Sequence, residues 1–114
     1  MKKWITSALL AIVMMDAHAA NVINPNSLVI TDMRTVEEGY AVPTIVGIAT
    51  NQSGGAISNA FIKFNLLDAQ GNLVGNTIAM ASNLAPGQVW HFKAPMAEQG
   101  VVSVKVVEVN VYRD

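Results

Sequence analysis

Any chemistry in this chain of 114 residues must come from a short roster, because it holds two histidines, six methionines and no cysteine. The missing cysteine excludes disulfide staples, thiolate metal sites and a cysteine nucleophile together. It also excludes the modified cysteine of a bacterial lipoprotein. His91 stands between Trp90 and Phe92. To act as a base it would need an activated nucleophile and an orienting group, and the scattered serines and aspartates show no spacing that supplies them. A lone histidine on a strand face is ordinarily a surface residue. Met33, Met80 and Met96, taken with His91, are the soft donors a Cu(I) site would use. They fall on separate predicted strands and turns, however, which suits gap-filling in a core. Glu37-Glu38 beside Gly39 reads as a solvated turn ahead of a calcium site. Asn51-Gln52-Ser53 matches a glycosylation acceptor but opens a run of turn-forming residues. The sequence predicts no catalytic residue, no metal ligand and no cofactor, and singles out no binding residue; it reads as a non-enzyme.

The elements that position these residues begin after a leader. Met1-Lys2-Lys3 is followed by the uncharged run Trp4–Met15 and then by Asp16-Ala17-His18-Ala19-Ala20. A positive start, a short apolar stretch and a small-x-small site are the parts of a secretory signal peptide. Twelve apolar-run residues fall short of the roughly 20 that a membrane span needs. Cleavage is expected after Ala19, with Ala20 as the alternative, which makes 1–19 a signal peptide and leaves a soluble periplasmic or secreted protein without a membrane anchor. The remaining 95 residues carry five cationic side chains against seven carboxylates, a net charge of −2 with no basic stripe, so nucleic acid is not an expected partner. That length makes one domain, whose own packing must supply a net stability of about 5–15 kcal/mol.

Residues 20–27, rich in Asn with Pro25, read as a lead-in of turn or extended coil, and 28–114 as the domain. Leu28–Val36 alternates as a strand and turns at Glu37-Glu38-Gly39. Tyr40–Thr50 is β-branched, with its well-formed part over Thr44–Thr50, and Pro43 is expected at an edge, a bulge or the strand's start. After the cluster 51–55, Ala60–Leu67 alternates with Ile62, Phe64 and Leu66 on a buried face and Lys63 and Asn65 on a wet one. Asp68–Asn72 is a hairpin connection in which Gly71 or Asn72 takes the positive φ. Leu73–Ser82, the turn Asn83–Gly87 and Gln88–Ala94 follow, with Trp90 and Phe92 facing opposite to His91. In Val101–Tyr112 the valines shift phase between 106 and 107, which a bulge or burial on both faces would produce. This run is either a central strand or an exposed edge open to strand addition by a partner. Six or seven such strands without helical periodicity predict an all-β, antiparallel, immunoglobulin-like sandwich of about seven strands.

Phe64-Asn65-Leu66-Leu67-Asp68, followed by Gly71-Asn72 and by Asn83–Phe92, resembles the FxLYD domain family, with Leu67 in the place of the family's Tyr. Gly47-Ile48-Ala49-Thr50-Asn51-Gln52-Ser53-Gly54 is similar to that family's G-x-V-x-N-x-S-G stretch, so the likeness spans about residues 28–112. It implies an immunoglobulin-like sandwich in exported or surface proteins of bacteria and archaea, of unassigned function. No active residue comes with it. Its motif residues have a structural account, since Phe64 and Leu66 share a face and Asp68 suits a turn.

These features together predict a non-catalytic interaction module of the bacterial envelope, meeting a protein partner through a sheet face or an edge strand. The alternative is a periplasmic carrier of a small ligand or of copper, held by end loops or by Met and His side chains. Expression in a bacterial host followed by intact-mass analysis is expected to show a chain beginning at Ala20, or at Asn21; retention of residues 1–19 contradicts the leader.

Overall fold

The structure, a computed structural model, describes residues 21–114; the leader and its cleavage site lie outside the described residues. Seven strands run β1 (Val22–Ile23), β2 (Leu28–Val36), β3 (Thr44–Asn51), β4 (Ile57–Leu67), β5 (Leu73–Leu84), β6 (Val89–Pro95) and β7 (Ser103–Tyr112). They form a four-stranded sheet in the order β1-β7-β4-β5 and a three-stranded sheet in the order β2-β3-β6. Every pairing is antiparallel. This is the immunoglobulin-like β-sandwich that alternation and turn spacing predict.

Period-two patterning decides which face each strand buries. On β3 the inward set is Ile45, Gly47, Ala49 and Asn51, and on β4 it includes Ile62, Phe64 and Leu66, each buried, while Lys63 is exposed. Phe92 packs at 6.0 Å from Phe64 and 5.8 Å from Trp90, ring centre to ring centre, joining the two sheets through aromatic contacts. Pro43 lies just ahead of β3, and its carbonyl accepts from the Met96 amide at 2.9 Å, so it marks a strand's start.

Within 21–27 the chain is more structured than a bare lead-in. Val22 and Ile23 pair with Tyr112 and Val111, and Pro25–Ser27 makes a 3-10 turn capped by the Asn24 side chain. Two residues present no period, so this strand leaves no signature in the sequence. The phase shift in β7 is a bulge, because Lys63 pairs with Glu108 whereas Phe64 pairs with Val106. Asp68 builds the β4–β5 turn by accepting from the Gln70 and Asn72 amides, and Gly71, at φ 82°, takes the left-handed position.

Gly47 sits opposite Phe92 in the β3–β6 register. A Cβ at this position would lie 2.4 Å from the Phe92 ring, and that ring is held in the core by Phe64 and Trp90. Gly47→Ala is therefore expected to destabilise the fold by about 1–3 kcal/mol, the usual cost of overpacking a core. Urea unfolding measures this, and an unchanged midpoint would show that the ring has room to move.

Candidate functional site

The residues with chemical potential are kept apart. His91 lies exposed on the outer face of the three-stranded sheet, with Ile48 as its cross-strand neighbour. Met80 is exposed and pairs with Phe61 on the outer face of the other sheet, Met96 is buried in the core, and Met33 lies on β2. No cluster of three or more His, Cys, Asp or Glu side chains occurs among the described residues. The Glu37-Glu38 pair is exposed in a turn closed by the Tyr40 amide on the Glu37 carbonyl. A depression of about 690 Å³ over the outer face of β2-β3-β6 gathers Asp32, Arg34, Tyr40, His91 and Lys93. There Arg34 donates to the Asp32 carbonyl at 3.2 Å, a contact that neither polarises His91 nor presents a nucleophile to it.

Asn51 has a structural task. Its side chain is fully buried, and Nδ2 donates to the carbonyls of Gly55, Leu84 and Ala85 at 2.8, 3.1 and 3.0 Å. Its Oδ1 accepts from the Ser53 amide and hydroxyl. Arg113 extends the network, donating to Ser53 Oγ and to the Ala56 carbonyl, both at 2.9 Å. The Asn-x-Ser pattern is thus a loop clasp, whose amide nitrogen is unavailable to a glycan-transferring enzyme. The clasp is invisible to pattern reading because two of its three acceptors, Leu84 and Ala85, lie more than 30 residues away.

Among the described residues, the strands β2, β5 and β6 each end a sheet with one side unpaired, and most of the outer edge of β7 is unpaired as well. β1 covers it only at Val111 and Tyr112, so among the described residues no strand pairs with Ser103–Asn110 on that side. Beside this edge runs a groove of about 490 Å³, walled by Pro25 and Asn26 of the 3-10 turn, by Leu28, Val29 and Ile30 from β2 and by Val106, Val107, Glu108 and Val109 from β7. On the opposite flank Thr77 Oγ1 of β5 donates to the Pro95 carbonyl of β6 at 2.7 Å, bridging the two sheets. Of the two expectations for the valine-rich run, the exposed edge is the observed one over Ser103–Asn110.

No family model matches the chain, and no curated protein matches it. Among solved structures, IrmA from Escherichia coli is similar, with a TM-score of 0.52 at 10% sequence identity over 75% of this chain and 80% of that one. At that identity the likeness concerns the fold, and it agrees with the sandwich architecture.

The Asn51 clasp yields a direct expectation. Asn51→Ala deprives three backbone carbonyls of a donor and is expected to cost about 2–4 kcal/mol. Asn51→Asp, which turns a carboxylate oxygen toward the same carbonyls, is expected to cost at least as much. A loss under about 0.5 kcal/mol in urea unfolding would contradict the assigned role.

Proposed function

We propose that this protein is an exported, non-catalytic interaction module of the bacterial envelope that meets a protein partner through the β7 edge. The observation that carries the reading is the backbone of Ser103–Asn110, which among the described residues has no strand partner on its outer side, beside a groove walled by aliphatic side chains together with Asn26 and Glu108. Unpaired strand edges offer main-chain donors and acceptors, while adjacent apolar pockets receive alternate side chains of an added strand. The separation of His91, Met80 and Met96 onto different surfaces and into the core speaks against the copper-carrier alternative. The leader supports export, and the FxLYD resemblance fits a surface or exported setting.

Photo-crosslinking in the native envelope tests this reading. Val107 and Val89 are similarly exposed, at 48% and 50%, but Val107 lies on the β7 edge and Val89 on β6 of the other sheet. A photoreactive residue at 107 is expected to give discrete protein adducts, and the same residue at 89 none. Adducts at neither position, or at both equally, would overturn the edge as the contact surface.

A further inference from the structure

β1 is not alone in covering the far half of the β7 edge. Past the pairs Val22–Tyr112 and Ile23–Val111, Asn24 extends the β1 row toward Asn110, and the 3-10 turn Pro25–Ser27 lies against β7. The bulge in the β4 register, between Glu108 and Val106, splits the edge into two regular stretches, Ser103–Val106 and Glu108–Tyr112. Residues 21–27 lie along the second. This covering segment is lightly held. None of its side chains is buried, and Ile23 is the one among them that packs against the hydrophobic core. The Asn24 side chain and carbonyl accept from Asn26 and Ser27, within the segment itself. Firm anchoring begins at its end, where the Ser27 carbonyl accepts from the Gln52 amide at 2.8 Å and Leu28, buried, pairs with Asn51. A segment with little buried apolar surface and a two-residue ladder opens locally, without unfolding the rest.

We infer that residues 21–27 are a strap over the β7 edge, which swings out about Ser27 and Leu28 to admit a partner strand. This deepens the interaction-module reading, and rests on it, by naming how access to the edge is controlled. With the strap closed, an incoming strand finds only Ser103–Val106 as a regular stretch, shorter than the usual strand of about 5–6 residues. With the strap out, Glu108–Tyr112 joins it. Strap and partner then compete for the same backbone groups. The Arg113 amide donates to the Asn21 carbonyl at 2.8 Å, so Asn21–Arg113 is a hydrogen-bonded pair. Alternation makes Val22–Tyr112 non-hydrogen-bonded and Ile23–Val111 hydrogen-bonded. The amides of Val111 and Arg113 therefore face the strap, and those of Asn110 and Tyr112 face β4. A partner that pairs along this stretch binds only the open form, so its apparent affinity is its intrinsic affinity scaled by the open fraction. At rest the strap shields the end of the strand from unintended pairing.

Hydrogen exchange on protein purified after export, read amide by amide by NMR, reports strap opening without a partner. The Val111 and Arg113 amides are expected to exchange about tenfold or more faster than those of Asn110 and Tyr112. Equal rates would mean that the strap opens only when the whole sandwich does, and would overturn the proposal. V22C/Y112C supplies a second measurement. Val22 and Tyr112 are a non-hydrogen-bonded pair, whose Cα separation of about 4.5 Å suits a disulfide, and the chain has no cysteine to compete. Oxidised, this variant is expected to slow the Val111 amide to the rate of its β4-facing neighbours. It is also expected to lose the intermolecular adducts of a photoreactive residue at 107 in the native envelope, and reduction should restore both. Comparing the two redox forms of one variant cancels the loss of the Tyr112 ring, which packs edge-on to Phe61. I23P, which removes an amide bonded to Val111, is expected to raise the adduct yield at 107, and an unchanged yield counts against the strap. Adducts that persist undiminished in the oxidised form overturn the strap alone. A wild type giving no adducts at 107 overturns the module reading and the strap's role with it.

Discussion

The Asn51 amide is the contact on which the geometry of this sandwich hangs. Its nitrogen gathers carbonyls from the loop after β3 and from the end of β5 and the residue following it, while its backbone bonds in both directions to the β5–β6 turn, donating to Gln88 and accepting from Gly87. Two connections of the fold, the β3–β4 loop and the β5–β6 turn, are thereby held at one point. Arg113 reaches the same loop through Ser53 and Ala56, so the end of β7 is tied to it too. Buried amides that satisfy several carbonyls cost little when complete and much when broken. With Leu84, inward and buried opposite Ile57, the clasp seals one end of the core.

With that end secured, the position of β7 follows. Its last residues are anchored by β1 on one side, β4 on the other and Arg113 beyond, whereas among the described residues the stretch before Val111 has β4 as its one strand partner. The bulge then reconciles two demands. A regular strand long enough to reach from Ser103 to Tyr112 would bury only one parity of residues, but Val104 and Val106 and then Val109 and Val111 all pack toward the core. One extra residue resets the phase, and Lys105 and Glu108 are left on the outside together.

Much of this was legible in the residues. The turn at Asp68, the core face of Phe64 and Leu66, and the phase shift within the valine run follow from local pattern, because a two-residue period and a turn's φ requirement are properties of a few neighbouring residues, while the choice between a bulge and burial on both faces needs the register against β4. What was not legible is non-local. Val22-Ile23 form a strand only because Tyr112 and Val111 are brought beside them. Asn51 looks like a turn residue until its acceptors 33 and 34 positions later are in place. Whether the valine run is central or at an edge depends on sheet order, which no window of sequence contains; the observed answer is both, anchored at its end and open before it.

An open strand edge is a hazard for any protein, and natural sheets blunt such edges with charge and with bulges. This chain carries both devices at the middle of the open stretch. Against an arbitrary strand they act as a barrier, since the bulge breaks the spacing and a neutral strand leaves Lys105 and Glu108 without partners across the join. Against a strand with the same irregularity and the mirrored charges, the same two devices become matching features. The edge is thus selective by construction, because the bulge and the two charges exclude a regular, neutral strand.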